Sequence, residues 1–286
     1  MSVAIVTDSN SCITQKEAVS LGITVIPMPF MINGEEYFED INLTQEEFYQ
    51  KIEGGAEVVT SQPAPMVVMN TWDKLLKEYD EVVYIPMSSG LSGACQTAMM
   101  LADDYEGKVF VVNNQRICPT LRDSAVDAYN MAKEGYSGAE IKKYLEDTKF
   151  DTSIYITVGT LDYLKRGGRI TPAVAAIGNL LKIKPILAIH GEKLDAFANA
   201  RTVNHAKAAM ISAIKADMDE IIHCTDYSQY RICSAYSSDV EQANEFAELI
   251  KEEFPGCELC VMPLSLSVAC HIGPSSLAIA VTKKRN

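Results

Sequence analysis

Val82-Val83-Tyr84-Ile85-Pro86-Met87-Ser88-Ser89-Gly90-Leu91-Ser92-Gly93-Ala94 is the stretch whose reading decides the fold. Val82–Pro86 is a short, uncharged, β-branched run, the pattern of a buried strand. Small polar residues follow over 88–93, and a helical pattern covers Leu91–Leu101. The next apolar run, Val109–Val112, is another strand. Strand, loop, helix and strand make a βαβ unit, and a mostly parallel sheet follows from it.

Working outward, the same alternation fills the first half of the chain. Val3–Thr7 is a strand that ends at Asp8-Ser9-Asn10-Ser11, four capping residues, and a weak helix starts at Thr14. Ile23–Met28 is a second strand, and Asn33-Gly34 is a strong hairpin signal. Thr44 and Glu47 form a capping box for a helix ending near Gly54. Val68, Trp72, Leu75, Leu76 and Tyr79 share one face of a further helix, and two more helical stretches fill Cys118–Lys149.

The second half mixes hairpins with helices. Ile154–Val158 is a strand, and Leu161–Arg166 is helical, stopping at Gly167-Gly168. Pro185–His190 and Leu194–Ala198 flank Gly191-Glu192-Lys193 as a hairpin. Helices are expected near 203–217 and 239–252, and strands near 220–225, 231–236, 258–262 and 277–281. The expected organisation is an α/β protein of two domains. Residues 1–152 form a mostly parallel α/β domain and residues 153–286 an α+β domain, with the boundary near Phe150-Asp151-Thr152.

Composition narrows the function. Apolar residues make up 48% and charged residues 22% of 286, which excludes a disordered or fibrous chain. The net charge of −13 opposes binding to nucleic acid or to an anionic membrane surface. No export signal is expected at Met1-Ser2-Val3. The uncharged run Val261–Thr282 is broken by Pro263, Gly273 and Pro274, and reads as short buried strands and a turn rather than a membrane span. Of eight cysteines, only Cys257-Glu-Leu-Cys260 has a metal-like or redox-like spacing, and no clustered histidine completes a zinc site. Plain reduced thiols, a cytoplasmic protein, no metal and no cofactor are the expectations.

Three small-polar loops are candidates for chemistry: Thr60-Ser61-Gln62-Pro63, Ser88–Gly93 and His271-Ile272-Gly273-Pro274. Ligands of open α/β sheets bind beyond the carboxyl ends of strands, and loops that open helices there suit an anion. Gly90-Leu91-Ser92-Gly93-Ala94 also has the outline of a nucleophile elbow, so a serine esterase or thioesterase using Ser92 and His271 is the alternative. Against it, Ser92 lies well past the strand end. A kinase domain is a third reading, but the phosphate-loop lysine is absent. Leu161–Ile170 ends in Gly167-Gly168-Arg169, an arginine that leads into the uncharged stretch 170–181.

Taken together, these pieces resemble the DegV family of bacterial fatty-acid-binding proteins. The matching segments are Thr7-Asp8-Ser9, Thr60-Ser61-Gln62-Pro63, Ser89-Gly90-Leu91-Ser92-Gly93, Leu161–Ile170, Asn179-Leu180-Leu181-Lys182-Ile183-Lys184-Pro185 and His271-Ile272-Gly273-Pro274, in family order. The resemblance implies a non-enzymatic carrier that buries a long-chain fatty acid near the domain junction. It also implies a partner, a separate fatty-acid kinase that converts the carboxylate to an acyl phosphate. Carried over residue by residue, the head-group site is Thr60, Ser61, Ser92, Gly93 and His271. Arg169 lies near the head group or the kinase, and Arg201 is a further candidate for kinase contact. Cys270 stands where the family usually has threonine, Ser275 where it has glycine, Ala64 where serine is common, and Asn113-Asn114 where Asp-Ser is common. Twelve methionines suit a pocket that adapts to different chains.

Overall fold

β-Branched runs and capped helices build the first unit in the order expected of a βαβ chain. A computed structural model describes residues 2–171, 183–191 and 194–285. The elements are β1 (Val3–Asp8), α1 (Gln15–Leu21), β2 (Thr24–Ile26), β3 (Phe30–Ile32), β4 (Glu35–Tyr37), α2 (Gln45–Glu53), β5 (Val58–Thr60), α3 (Pro65–Leu75), β6 (Glu81–Ile85), α4 (Ala94–Ala102), β7 (Val109–Val111), α5 (Pro119–Lys133) and α6 (Gly138–Asp147). They fall in the first of two units, Met1–Lys149 and Phe150–Asn286.

β2-β1-β6-β7 form a four-stranded, wholly parallel sheet. Trp72 of α3 is fully buried against it, with edge-on contacts to Tyr84 at 5.8 Å and Tyr105 at 5.3 Å. Asn33 and Gly34 turn the β3–β4 hairpin with φ of 52° and 87°, the positive values such a turn demands. The Thr44–Glu47 capping box is present.

Phe150–Asn286 contains β8 (Thr152–Thr157), α7 (Asp162–Gly167), β9 (Lys184–Ile189), β10 (Leu194–Ala200), α8 (Val203–Glu220), β11 (Tyr230–Ser237), α9 (Val240–Glu253), β12 (Glu258–Pro263), α10 (Leu266–Ile272) and β13 (Ser276–Lys283). Its sheet has the order β10-β9-β8-β13-β11-β12 and is antiparallel except for β11–β12. One face packs on α8 and α9: Ile279 and Ile232 of the sheet share a buried core with Met210, Ile214, Phe246 and Ile250. Strand side chains alternate, so the intervening residues point to the other face. That second face carries Ile154, Ile156, Leu187, Ala235, Ala278 and Ala280, all buried.

Four expectations are corrected, and one strand is added. No strand covers 220–225: α8 continues to Glu220 and closes with the Cys224 N–H donating to the Met218 carbonyl at 2.8 Å. Within Val261–Thr282 the turn is the helix α10, so His271 sits in a last helical turn and not in a loop. The helix expected from Leu91 starts at Ala94, because Leu91 and Ser92 are tied into a turn by the Ser88 carbonyl. Tyr79 lies beyond the end of α3 and is exposed. β5 was not foreseen; three residues pairing with β3 are too few to show a period. The uncharged stretch 170–181 lies outside the described residues from 172 onward, as does Asn179-Leu180-Leu181-Lys182.

Candidate functional site

In the first unit the chain steps from β1 to β2 on one side, then returns to β6 on the other side of β1. Such a reversal opens a crevice at the carboxyl ends of the two central strands. Asp8 fixes those ends. It is fully buried, one carboxylate oxygen accepting the Asn10 N–H and the other the Met87 N–H, both at 2.9 Å. Burial pushes its pKa up to about 6, against the opposing pull of the Met87 and Asn10 hydrogen bonds.

Beyond Met87 the chain folds on Ser88. The Ser88 carbonyl accepts the N–H groups of Leu91 at 3.0 Å and Ser92 at 3.2 Å. Ser92 is half-buried, and its Oγ accepts the Ala94 N–H at 3.2 Å as α4 begins. A hydroxyl that accepts one N–H keeps its own proton to donate. Gly93 is exposed at the helix entrance.

The second loop leaves β5 at Thr60, which pairs with Phe30. The Ser61 N–H donates to the Pro29 carbonyl at 3.3 Å, and Ser61 is exposed. Gln62, which the sequence reading did not single out, joins the two loops. Its Oε1 accepts from Thr97 Oγ1 of α4 at 3.1 Å and lies 3.6 Å from where a Cβ on Gly93 would sit. The structure therefore brings the Thr60-Ser61 and Ser92-Gly93 loops together. Ala64 gives α3 no side-chain cap, whereas a serine there would add about 1 kcal/mol.

In the second unit the sequence-expected residues meet at a joint between α7 and α10. A Cβ on Gly167 would fall 2.2 Å from His271 Nδ1, and one on Gly273 would fall 2.4 Å from the Tyr163 ring. Only glycine fits at either place. Arg166 lies over the same Tyr163 ring, 4.7 Å from its centre. The Arg169 guanidinium donates to the Gly167 carbonyl. Burial, and then the nearby Arg169 charge, hold the His271 pKa down at about 4, so the imidazole is neutral near pH 7. The Gly273 carbonyl accepts from Ser237 Oγ at 2.8 Å, and Ser275 adopts a left-handed φ of 58°, which suits the glycine usual in the family it resembles. Arg169 and His271 thus belong together in the second unit.

Each unit has its own plain donors: hydroxyls and backbone N–H groups in the first, a neutral imidazole and a guanidinium in the second. Donors of either kind suit an anion. Among the described residues no cluster of three metal-ligating side chains occurs. Ser92 follows the whole Met87–Leu91 turn and precedes a helix cap, a geometry unlike an elbow serine at a strand end.

A Ser, His and Asp do converge elsewhere in the second unit. Asp217 of α8 accepts from Ser153 Oγ, from Tyr155 OH at 2.9 Å and faces His190 Nε2 at 3.2 Å. His190 turns the same nitrogen to Ser153 Oγ at 3.0 Å. A hydrolytic triad needs both imidazole nitrogens, one for each partner, so this arrangement anchors a carboxylate instead. Burial raises the Asp217 pKa, but hydrogen bonds from His190, Ser153 and Tyr155 outweigh it and hold the carboxyl below its usual value. In the Cys257–Cys260 segment, Cys260 lies on the strand β12, burial raises the Cys257 thiol pKa, and neither sulfur is in a disulfide.

The family model described as "Uncharacterised protein, DegV family" matches residues 2–284. The DegV domain-containing protein SA1258 of Staphylococcus aureus is 31% identical over 280 residues, covering 98% of both chains. The corresponding protein spr1415 of Streptococcus pneumoniae is 30% identical over 283 residues, again with 98% of both covered. Among solved structures, a DegV family protein from Thermus thermophilus described by its fatty acid binding superposes with a TM-score of 0.90 at 29% identity, covering 99% of this chain and 100% of that one. DegV from Bacillus subtilis, described as a fatty acid binding protein, gives 0.88 at 28% identity with the same coverage.

Proposed function

The chain belongs to the DegV family, and we propose that it binds a long-chain fatty acid and presents the carboxylate to a separate fatty-acid kinase for acyl-phosphate formation. The observation that carries this reading is the full-length likeness to two structures described as fatty acid binding, at 29% and 28% identity. Thr60, Ser61, Ser92 and Gly93 supply hydroxyl and backbone donors for the carboxylate. His271, neutral near pH 7, donates a hydrogen bond without adding charge, and Arg169 supplies the cation. The second sheet face, with buried Ala235, Ala278 and Ala280, offers an apolar surface for the tail. Each methylene buried there is worth about 0.8 kcal/mol, so the tail dominates affinity and the head-group contacts fix its pose. On this reading the protein is a carrier with no chemistry of its own, and the kinase supplies ATP and the phosphoryl transfer.

Lipid extraction and native mass spectrometry of the purified protein test the first step. One fatty acid per chain is the expected result. A protein that carries no lipid and takes up none when it is added would overturn the reading. Acyl-phosphate formation on mixing the loaded protein with a fatty-acid kinase and ATP tests the second step. Ester hydrolysis by the protein alone, abolished by Ser92→Ala, would favour an esterase instead.

A further inference from the structure

β12 is the last strand of the six-stranded sheet and, among the described residues, pairs with β11 alone. Its outer edge offers a row of backbone N–H and C=O groups to another strand. Natural edges of this kind are blunted by charge or proline. Here Glu258 stands at the first position and Pro263 at the last, and Leu-Cys-Val-Met over 259–262 carries neither. Leu259 and Val261 are only half-buried where they pack on the helix side of the core, and Cys260 is exposed. Ala247 of α9 lines an open groove of about 750 Å³ with Leu259, Cys260 and Val261 of β12. The small side chain of Ala247 leaves that room between helix and strand.

The helix rim of the groove is acidic. Glu241, Glu245 and Glu248 follow at intervals of four and three, so they share one face of α9, and all are exposed. Lys251 is the cation among the lining residues. Glu245 also reaches Lys207 Nζ at 3.4 Å, which leaves Glu241 and Glu248 as the more open acceptors. Residues four apart on a helix are about 6 Å apart along its axis. Alternate residues of an extended chain are about 6.6 Å apart. Basic side chains at every second position of a strand laid along β12 therefore meet the rim in step, their apolar stems resting on Leu259 and Val261. A second copy of this chain is the wrong occupant. Pairing β12 with β12 would bring two acidic rims together in a protein of net charge −13. We propose that β12 and α9 form a docking groove for a basic, extended segment of a partner protein, which adds to the sheet edge as a further strand. The segment matches the 6 residues of Glu258–Pro263, with Lys or Arg at alternate positions. This site is separate from the fatty-acid reading and does not depend on it.

The probe is a fluorescent peptide, acetyl-Lys-Val-Lys-Val-Lys-Val-amide, titrated into the full-length protein, with its Glu-Val counterpart as control. The lysine peptide should bind saturably and slow alkylation of Cys260, followed site by site by mass spectrometry. The glutamate peptide should do neither. Glu241→Gln and Glu248→Gln, both at exposed positions, should each weaken binding about two- to fivefold. Glu78→Gln, an exposed glutamate of the other unit, should leave it unchanged. Binding should fade at about 1 M salt, where the screening length is ~3 Å. A lysine peptide that does not bind, or that binds without protecting Cys260, overturns the groove. Equal weakening by Glu78→Gln does so too, because it would mean diffuse attraction to an acidic protein. Protection of Cys260 without peptide, rising with protein concentration, would put a second copy in the groove and overturn the basic partner.

Discussion

The imidazole of His271 rests against the bare backbone of Gly167, with 2.2 Å between Nδ1 and the place a Cβ would take. The Gly-Gly-Arg and His-Ile-Gly-Pro motifs, far apart in sequence, are thus two halves of one joint. Gly273 repeats the device against Tyr163. Small residues on each helix accept an aromatic ring of the other.

Gly167→Ala should displace the histidine while leaving the helix intact. Overpacking of this kind costs about 1–3 kcal/mol. Thermal melting should show that loss, and fatty-acid affinity should fall with it. A variant with wild-type stability and affinity would show that the contact does not place His271.

Ser92→Ala should remove one charge-assisted bond, worth about 1.5–3 kcal/mol. Tail burial survives, so binding weakens without vanishing. Kinase-coupled turnover should fall further, because the carboxylate is no longer held in one pose. Paired affinity and turnover measurements check this, and wild-type values in both would move the head group elsewhere.

His271 and Asp8 should give opposite responses to acid. The folded His271 pKa, about 4, lies below the ordinary 6.5, so the unfolded chain binds its proton more readily. Its contribution is present above pH 6.5 and is lost as pH falls to 4. The folded Asp8 pKa, about 6, lies above 3.8, so its contribution is present below that value and is lost as pH rises through 6. Each is worth about 3 kcal/mol at most. Denaturant titrations between pH 4 and 7 should show His271→Gln relatively more stable at the acid end. Asp8→Asn should be least favoured at pH 4, with the gap narrowing toward pH 7. Parallel pH profiles for both variants and the wild type would contradict these assignments.

Asp217→Ala should destabilise the protein by roughly 3 kcal/mol or more, because the Ser153 and Tyr155 hydroxyls lose their acceptor. Binding of fatty acid at temperatures below the melt should be retained. Loss of an enzymatic activity, rather than of melting temperature, would give the Ser153–His190–Asp217 cluster a different role.

Much of the fold was legible because its signals are local. Short apolar runs marked most of the strands, Thr44 and Glu47 marked a helix start, and Asn33-Gly34 marked a turn. The strand expected at 220–225 failed because Ile221 and Ile222 are apolar without being extended; Ile222 packs into the core below α8. His271 was assigned to a loop because Gly273 and Pro274 masked a helix that is only seven residues long. Gln62 and Asp8 act through partners distant in sequence, Thr97 and Met87, and no spacing rule reaches them. Asp8 was read as a cap, which it is, but its bond to Met87 needs the sheet order to be seen.

The strand synthesised last in the second unit, β13, lies inside the sheet between β8 and β11. Ile154 pairs with Ala280, and at 5–20 residues per second the ribosome takes roughly 6–25 s to make the chain between them. Until Ser276–Lys283 emerges, β8 and β11 each expose an apolar edge with no strand to close it. Folding of this unit therefore waits for Ser276–Lys283. A nascent chain stopped before Ser276 would present two open edges to any chaperone, or to any neighbouring chain, that met it first.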